Sequence, residues 1–397
     1  MDVKTAFLYG ELKEDIYMAV PDGVKAPSNT VCKLLKSLYG LKQSPRCWNE
    51  KFNEKLLKLG FVRSRHDYCL YTRIQDGDEI YVVLYVDDLL ICGRKPETIV
   101  KLKQQLTAMF AMTDCGEVTH FLGMRLDYDV RRGRMRLSQE ANVEKLLTRF
   151  EMVDCNPVKT PMEKGLQLAR AGDPTAHPYR ELLGSLMYVM LCTRPDICYS
   201  VGFLGRFQQK PTTQHWQSLK RVVRFIKGTK ARCLEYKQVR SAKPLVGYVD
   251  ADWASDIEDR KSVSGFAFFV FGNLVSWSSK KQTTVATSSS EAEYIALSSA
   301  VSEAVWLSGI LDDLKLKNSS PVTIYEDNQG CIGMAKNCES KRSKHIDVKH
   351  HFVRDHISNG NVRIEYVRTE DQLADLFTKP MDAGRLGQLG RRLGISD

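Results

Sequence analysis

Two adjacent aspartates, Asp87 and Asp88, interrupt an apolar run that extends over residues 80–92. The residues on either side are mostly Val, Ile, Leu and Tyr, and each flank is long enough to form a strand. The pattern therefore predicts a hairpin that presents both carboxylates at its turn. Because like charges this close repel each other unless a cation lies between them, the pair is a candidate metal site. A solvated hairpin turn is the alternative, since aspartates are common in turns that bind no metal.

Two other segments place this hairpin in a wider pattern. Residues 1–7, predicted as a short strand, carry Asp2, and residues 37–48 combine Tyr-Gly-Leu with Ser-Pro and Trp. Together with residues 85–88, and in the same order and spacing, these segments resemble the reverse transcriptase of copia-type retrotransposons. The resemblance implies two magnesium ions (Mg²⁺), with Mn²⁺ as the alternative, held by Asp2, Asp87 and Asp88. Such ions orient the primer hydroxyl and neutralise the phosphates of the incoming nucleotide.

The resemblance also assigns residues to the nucleotide and to the primer. Phe7 corresponds to an aromatic residue beneath the nucleotide sugar, where it excludes a 2′-hydroxyl, and Gln43 to a glutamine that lines the nucleotide pocket. A further segment resembles the primer grip, formed here by Phe121, Leu122, Gly123 and Met124. Without these neighbouring motifs, Phe7 would be ordinary core and Gln43 a surface residue before a Ser-Pro turn.

The start of the sequence bears on the polymerase assignment. In this family a fingers subdomain, with basic residues that bind the triphosphate, precedes the first catalytic aspartate, whereas Asp2 is almost the first residue here. We therefore expect an internal fragment of a polyprotein, or a gene model begun at an internal methionine. A polymerase site without fingers is expected to be loosely assembled.

Length and composition indicate a multi-domain intracellular protein. A chain of 397 residues with 43% hydrophobic and 27% charged residues can bury two or three cores. Its formal charge of +10 favours a polyanionic partner, although diffuse positive charge also serves solubility. The eleven cysteines are scattered without C-x-x-C spacing, so we expect reduced thiols and neither a disulfide framework nor a zinc ribbon. We find no secretory segment and no run long and uncharged enough to span a bilayer, so a membrane partner is not expected.

Beyond the primer-grip match the apolar pattern becomes helical. Residues 138–150 have apolar side chains at helical spacing and resemble the family's thumb, although core packing explains the same stripe. Residues 156–178 contain four prolines and two glycines, which favours a flexible link. Residues 179–229 predict three helices, broken near Pro195 and Pro211. The last helix carries a basic face, either a nucleic-acid track or a solvated surface, formed by Lys220, Arg221, Arg224 and Lys227.

The final third of the sequence alternates strands and helices. A strand over residues 245–250 is followed by a hairpin over residues 265–278, predicted to turn at Gly272 and Asn273. A helix then opens with good N-cap residues at 288–290 and runs to about Leu311. The remaining predicted elements are a strand over 322–326, a helix near Gln329, a helix over 344–357, a strand over 362–367 and a helix from Gln372. This order resembles the ribonuclease H fold in its copia-type form.

Four acidic residues from four of these elements would meet in such a fold: Asp250, Glu293, Asp327 and Asp375. The resemblance implies that they bind two divalent ions, which activate water against the RNA strand of an RNA/DNA hybrid. Neighbouring acids leave alternatives open, namely Asp252 for Asp250, Glu291 for Glu293 and Glu326 for Asp327. Glu293 is preferred because residues 293–296 match the family's spacing of glutamate and small residue.

A histidine-rich stretch, residues 344–356, is a second candidate metal cluster, with Cys331 and Cys338 upstream. Apolar residues recur within it at helical spacing, namely Ile346, Val353 and Ile357. The favoured interpretation is therefore an amphipathic helix with histidines on its surface, and not a metal cluster.

Taken together, the motifs predict an α+β chain. We expect a truncated reverse transcriptase palm over residues 1–125, with an antiparallel sheet and helices, then a helical thumb and connection over 126–235. An α/β ribonuclease H-like domain over 236–397 completes the prediction. The resemblance implies an RNA-directed DNA polymerase with ribonuclease H activity, acting on RNA template, DNA primer, RNA/DNA hybrid and dNTPs. It also implies integrase and other products of the same polyprotein as partners, and a cytoplasmic virus-like particle with a nuclear stage. The rival hypothesis is a catalytically impaired relic or a repurposed nucleic-acid-binding protein.

Overall fold

The computed structural model describes residues 1–75, 77–239, 241–316, 321–336 and 347–397. These residues form two compact units. The first comprises Met1–Val118 with Gly309–Leu316, and the second comprises the described residues of Thr119–Ser308 and Lys317–Asp397. Both units mix helices with mainly antiparallel sheets, which confirms the predicted α+β class. The proposed boundaries at residues 125 and 235 stay predictions.

The first unit contains eight strands and two helices within the described residues. Its strands are β1 (Asp2–Val3), β2 (Tyr17–Ala19), β3 (Val31–Lys33), β4 (Val62–Arg63), β5 (Leu70–Gln75), β6 (Asp78–Tyr85), β7 (Asp88–Gly93) and β8 (Met112–Thr113). Its helices are α1 (Ser44–Lys58) and α2 (Pro96–Met109). Six strands form one sheet in the order β4-β5-β6-β7-β1-β8, and β2 pairs with β3 separately.

β6 and β7 form the hairpin predicted from the sequence. Tyr85 lies opposite Asp88, so the turn consists of Val86 and Asp87, and Asp88 is the first residue of the returning strand. Alternate residues of β6, such as Val82 and Leu84, are buried, which is the period expected of a strand with one face on the core.

β1 lies between β7 and β8 but is much shorter than the strand predicted over residues 1–7. The prediction is wrong because Thr5 adopts a left-handed backbone conformation (φ 54°), which ends the extended segment. A 3-10 turn, Ala6–Tyr9, follows at once. The apolar residues after Val3 therefore pack as a turn instead of extending the sheet.

The core of the first unit lies between its two helices and its sheet. Trp48, Phe52 and Leu56 recur every four residues along α1 and are almost completely buried. The start of the chain approaches this helix closely, because a Cβ added to Gly10 would lie 2.6 Å from the Cβ of Cys47. Glycine at this position therefore allows the first segment to pack on α1.

The second unit contains ten strands and eight helices within the described residues. Its strands are β9 (His120–Phe121), β10 (Met124–Asp129), β11 (Arg134–Ser138), β12 (Cys233–Lys237), β13 (Leu245–Asp252), β14 (Val263–Val270), β15 (Asn273–Lys281), β16 (Val322–Glu326), β17 (Val362–Tyr366) and β18 (Ile395–Ser396). Its helices are α3 (Glu140–Arg149), α4 (Tyr179–Cys192), α5 (Cys198–Leu204), α6 (Thr213–Gly228), α7 (Ser289–Asp313), α8 (Gln329–Lys336), α9 (Asp347–Ser358) and α10 (Ala383–Arg392). One sheet has the order β18-β12-β11-β10-β9.

Residues 156–178 contain neither helix nor strand, but they are not the flexible link that the sequence suggested. Met162 and Leu168 are only 3% and 6% exposed and belong to the same apolar cluster as α4 and α6. Pro174 also pairs with Thr212 through an isolated bridge. The segment is therefore anchored to the core at a few points, notably Met162 and Leu168, while most of its residues are exposed.

The basic face of α6 holds this segment in place. Arg224 donates to the backbone carbonyl of Asn156, and Lys227 donates to that of Cys155, both at 2.6 Å. Arg221 pairs with Glu163 at 2.8 Å. Three of the four basic residues proposed for a nucleic-acid track therefore bind the protein itself.

The C-terminal sheet has the strand order β15-β14-β13-β16-β17. β13, β14 and β15 are antiparallel neighbours, whereas β16 pairs in parallel with β13 and with β17. The order of elements matches the one predicted from the sequence, with two local differences. The hairpin turns at Phe271 and Gly272, which both have positive φ, one residue earlier than predicted. The final helix is interrupted, because a 3-10 turn (Leu373–Phe377) and Pro380 precede α10.

α7 is long and apolar enough, by length and composition alone, to cross a membrane, contrary to the expectation that no run has this character. In this fold, however, 56% of the apolar stretch of α7 is buried inside the protein. Ala292, Leu297 and Val301 have no exposed surface. A buried core helix passes the same length and composition test, and α7 is such a helix.

Candidate metal centres

Three carboxylates of the C-terminal sheet and its long helix converge. One oxygen each from Asp250, Glu293 and Asp327 lies within 4.8 Å of the other two. Asp250 and Glu293 are only 4% and 6% exposed, and Asp327 is half-buried. Among the described residues, no other group of three His, Cys, Asp or Glu side chains meets this distance criterion.

The sheet register explains this convergence. Tyr248 of β13 lies opposite Tyr325 of the parallel strand β16. Asp250 is two residues further along β13 and therefore points to the same face as Tyr248, and Asp327 follows the last residue of β16. Glu293 enters from the first turns of α7. The inside of β13, the residue after β16 and the start of α7 therefore supply the three ligands.

Burial shifts the titration of these groups. The pKa of Asp250 is raised to about 7, mainly by burial; the charges of Asp375 and Asp327 contribute to the rise, and Lys379 and Thr378 oppose it. Burial also raises the pKa of Glu293 well above its usual range, with Glu326 as the largest charged contributor. A set of buried acids with raised pKa values is stabilised by a cation at its centre.

The three acids that the sequence left as alternative ligands make hydrogen bonds within the protein. Glu291 accepts a hydrogen bond from the backbone N–H of Thr287 at 2.8 Å, in the manner of a helix-capping residue. Glu326 is completely buried beside Glu293 and accepts from the N–H of Asn328 at 2.9 Å. Asp252 is half-buried and bonds Ser255. None of these three belongs to the converging group, although Glu326 adjoins it.

Asp375, the fourth predicted ligand, is buried but engaged with basic residues. Lys379 Nζ lies 2.6 Å from its Oδ1, and Arg385 Nη2 lies 3.2 Å from its Oδ2. Asp375 raises the pKa of Asp250, so the two carboxylates are near each other. It is nevertheless outside the group of three. Lys379, Thr378 and Arg385 are site residues that sequence reasoning missed; the Asp-x-x-x-Lys spacing at 375–379 is the signal that could have found Lys379.

The polymerase candidates lie in the first unit, at the turn between β6 and β7 and on β1. Asp2 lies opposite Asp88 across the antiparallel pair of β1 and β7. Burial raises the pKa of Asp88, and the neighbouring charges of Asp87 and Asp2 raise it further. The charges of the three carboxylates therefore interact. Their oxygen atoms, however, do not all lie within 4.8 Å of one another, as those of Asp250, Glu293 and Asp327 do.

The turn that carries Asp87 is strained and anchored. Val86 has a positive φ of 56°, which is unfavourable for a β-branched residue. Its carbonyl oxygen accepts a hydrogen bond of 2.6 Å from the indole Nε1 of Trp48, which is buried in α1. Trp48 therefore fixes the turn that carries Asp87 and adjoins Asp88.

The proposed nucleotide residues lie near the start of α1. Gln43 is half-buried and immediately precedes the helix. Phe7 is also half-buried, packs on the apolar core and contacts the ring of Tyr39 with a centroid separation of 4.8 Å. These positions are compatible with contacts to a nucleotide, and also with Phe7 as a core residue and Gln43 as a surface residue. The nucleotide-binding roles of Phe7 and Gln43 therefore stay predictions.

The proposed primer grip is a tight turn between β9 and β10. Phe121 pairs with Met124, and Leu122 and Gly123 between them both have positive φ. Asn142 of α3 donates to the carbonyl of Gly123 at 2.7 Å, and Tyr188 of α4 donates to that of Leu122. The turn is thus held by two helices of the second unit.

The histidine-rich stretch forms α9 where the structure describes it. Val353 is completely buried, and His350 is buried and stacks on Tyr294 with ring centroids 4.1 Å apart, whereas His351 is exposed. The favoured amphipathic helix is therefore confirmed for Asp347–Ser358. Three members of the stretch, Lys344, His345 and Ile346, and the upstream Cys338 lie outside the described residues. The ten cysteines that the structure describes are free thiols.

Comparison with known proteins gives the family. A family model described as reverse transcriptase (RNA-dependent DNA polymerase) matches residues 1–164. The transposon Ty5-1 protein of Saccharomyces cerevisiae is 35% identical over 309 residues, which cover 76% of this chain and 100% of that protein. This chain belongs to the copia-type retrotransposon Pol family.

The copia-type chain is also similar to part of a longer relative. The retrovirus-related Pol polyprotein from transposon TNT 1-94 of Nicotiana tabacum is 40% identical over 392 residues, which cover 96% of this chain and 29% of that polyprotein. The chain thus spans less than a third of the relative's length. Among solved structures, ribonuclease H1 from Halobacterium salinarum is similar at 15% identity and a TM-score of 0.27, over 34% of this chain and 93% of that one.

The second-unit site of this copia-type chain fits a divalent ion. Hard cations such as Mg²⁺ and Mn²⁺ prefer carboxylate oxygens, and the converging group supplies three. Glu293 Oε2 is buried without a hydrogen-bond partner, which is costly for a carboxylate unless a cation or a proton satisfies it. The donor set therefore suits a divalent cation.

Proposed function

We propose that this chain is the polymerase and ribonuclease H portion of a copia-type Pol polyprotein. In this proposal the polyprotein copies RNA into DNA and degrades the RNA strand of RNA/DNA hybrids by two-metal phosphoryl transfer, and this chain supplies the catalytic carboxylates for both reactions. The convergence of Asp250, Glu293 and Asp327 is the single observation that carries the proposal. Buried carboxylates that meet from separate elements are what such chemistry needs and what packing alone does not produce.

In the nuclease, Asp250, Glu293 and Asp327 would hold a divalent ion, with Asp375 as the additional ligand for a second one. When bound, these ions supply a Lewis acid and an activated water for attack on the phosphodiester. The chain's own residues orient the ligands. Thr378 donates to Asp250 Oδ2, and Arg385 Nη2 lies 3.2 Å from Asp375 Oδ2.

In the polymerase, Asp2, Asp87 and Asp88 are the proposed ligands and Phe7 and Gln43 the nucleotide contacts. The opposition of Asp2 and Asp88 and the anchored turn support this assignment. RNA template, DNA primer and dNTPs are the ligands required. Integrase and other products of the same polyprotein are the proposed partners, and a virus-like particle the proposed location.

The test is RNA cleavage by the whole chain with Mg²⁺ and a labelled RNA/DNA hybrid. Asp327→Asn should abolish cleavage and leave hybrid binding nearly unchanged, because the lost charge matters mainly in the transition state whereas Lys and Arg supply most of the affinity. The matched control is Asp371→Asn, which removes an exposed carboxylate paired with Arg392 and should leave cleavage unchanged.

Three results separate the hypotheses. Hybrid binding without cleavage by the unaltered chain would favour a non-catalytic relic. Cleavage retained in Asp327→Asn would transfer the ligand assignment to Glu326. A primed template assayed in parallel should be extended poorly, because Asp2, Asp87 and Asp88 are not gathered as the nuclease group is; efficient extension with silent cleavage would contradict the proposal.

A further inference from the structure

A lysine ammonium occupies the space between two of the proposed nuclease ligands. Lys379 Nζ lies 2.6 Å from Asp375 Oδ1 and 3.9 Å from Asp250 Oδ2. The two carboxylate side chains are only 6% and 5% exposed, whereas the lysine side chain is 40% exposed. A positive charge is therefore already present where a cation shared by Asp250 and Asp375 would be.

Local structure explains how the lysine reaches this position. The 3-10 turn Leu373–Phe377 buries Asp375 at its centre, and Lys379 follows four residues later. Thr378, which is completely buried, donates to Asp250 Oδ2, while Arg385 contacts the other oxygen of Asp375. Both carboxylates thus have other partners, and the lysine side chain is flexible and, at 40% exposed against 23% for Arg385, more accessible to solvent.

We propose that Lys379 acts as a displaceable cation that competes with the second divalent ion of the nuclease site. One ion enters readily at Asp250, Glu293 and Asp327, and a second enters beside Asp375 only when the ammonium withdraws. This inference rests on the proposed nuclease function. Lys379 is then a positioning residue that regulates metal occupancy, separate from the ligands themselves.

The physical basis is repulsion between like charges at short range. An ammonium and a divalent ion that share the same buried carboxylates would lie within a few ångströms of each other, where Coulomb repulsion outweighs solvent screening. Two buried carboxylates without any cation would also repel each other. Lys379 therefore stabilises the metal-free site and weakens binding of the second ion.

The test is a calorimetric titration of the whole chain with Mn²⁺, with bound ions counted independently by electron paramagnetic resonance. Lys379→Met should bind one more ion than the unaltered chain over the same concentration range, or bind its last ion at least about tenfold more tightly. Lys379→Arg keeps the charge and should behave as the unaltered chain does. Ions at Asp2, Asp87 and Asp88 contribute equally to every variant, so only the differences report on Lys379.

The control variant is Lys237→Met, which removes an exposed lysine paired with Glu235 in the same unit. It makes the same change in net charge and should leave Mn²⁺ binding unchanged. Metal-free Lys379→Met should melt at a lower temperature than the unaltered chain and regain that difference when Mn²⁺ is added. Lys379→Gln provides the same comparison with a polar side chain if the methionine variant does not fold.

Unchanged Mn²⁺ affinity and stoichiometry in Lys379→Met and Lys379→Gln would overturn the role of Lys379. If Asp327→Asn still lost an ion in that experiment, the proposed nuclease site would stand. If the unaltered chain bound no ion that Asp327→Asn removes, both the site and the role of Lys379 would fail.

Discussion

Val86 shows how a single residue can hold strain beside a proposed reaction centre. Its left-handed backbone (φ 56°) places Asp87 in a two-residue turn, and the side chain is 43% exposed, so little burial compensates. The hydrogen bond from Trp48 maintains the conformation. The turn is therefore fixed by its surroundings and not by its own residue preferences.

Replacement of Val86 by asparagine should relieve this strain. Because asparagine tolerates the left-handed region, Val86→Asn should raise the free energy of unfolding of the first unit by about 1 kcal/mol. Urea unfolding followed by tryptophan fluorescence measures the change. Val62→Asn, at an exposed position of strand β4, is the matched control and should bring no gain. A lower stability of Val86→Asn would show that the valine side chain contributes more than its conformation costs.

Arg194 is a buried charge that sequence reasoning did not single out. Its guanidinium is 2% exposed, forms two hydrogen bonds of 2.8 Å with Asp196 and also donates to Thr229. Arg194→Met leaves Asp196 buried with only Arg232, at 3.4 Å, as an opposite charge. We expect a loss of about 3 to 5 kcal/mol in the free energy of unfolding, measured by chemical denaturation.

The exposed pair of Arg149 and Glu181 provides the comparison. Both side chains are about 60% exposed, and their contact is similarly short at 2.5 Å. Arg149→Met should therefore change the free energy of unfolding by no more than about 1 kcal/mol. Equal effects of the two substitutions would mean that burial does not determine the contribution of Arg194.

At the scale of elements, α6 combines a cap, a buried face and a basic face. Thr212 and His215 form a reciprocal capping box at its start, with the Thr212 N–H donating to His215 Nδ1 at 2.8 Å. His215 is completely buried and stacks on Phe207 with ring centroids 3.9 Å apart. Burial lowers the pKa of His215 below its usual 6.5, so the neutral ring is the folded form.

This shift predicts a pH dependence for the second unit. A histidine whose pKa is lowered on folding contributes its full stability above pH 6.5, and the contribution is lost as the pH falls through the lower folded value. His215→Gln keeps a capping acceptor but does not titrate. The melting temperature of the variant should therefore fall less than that of the parent between pH 6.5 and 5. Parallel declines would exclude His215 as the source.

The sequence predicted most elements because apolar periodicity reflects which face of an element is buried. β16 was predicted with its observed bounds, and α3 to within about two residues at each end. The predicted strand over residues 1–7 failed at Thr5, since a left-handed residue has no apolar signature. Residues 156–178 were mistaken for a flexible link, because proline and glycine content does not reveal that α6 binds the segment.

The candidate sites were predictable to a similar extent. Asp250, Glu293 and Asp327 follow from the family's motif spacing, and the structure brings them together. The i,i+4 spacing of Asp375 and Lys379 is visible in the sequence, but the position of this pair beside Asp250 was not predictable, because it depends on how a turn packs against β13.

At the scale of the whole molecule, the two candidate centres lie in different units. Asp87→Asn should therefore reduce primer extension and leave hybrid cleavage unchanged, because sites with no shared residues usually act independently. The substitution keeps the shape of the side chain but removes a charge needed for metal binding. Extension, cleavage and metal-free melting are measured on the same preparation. Undiminished extension would remove Asp87 from the polymerase site, and loss of both activities would indicate misfolding.

The sheet of the second unit cannot be completed until the short strand β18, near the end of the sequence, has been synthesised. Ile395 and Ser396 pair with β12, which pairs with β11, so one sheet joins residues near 120 to residues near 396. During synthesis at about 5 to 20 residues per second, roughly 8 to 32 s separate the emergence of β12 from that of its partner β18, about 160 residues later. Long-range pairing of this kind also slows folding itself. The edge of β12 therefore stays open to chaperones and to neighbouring nascent chains until translation has reached β18.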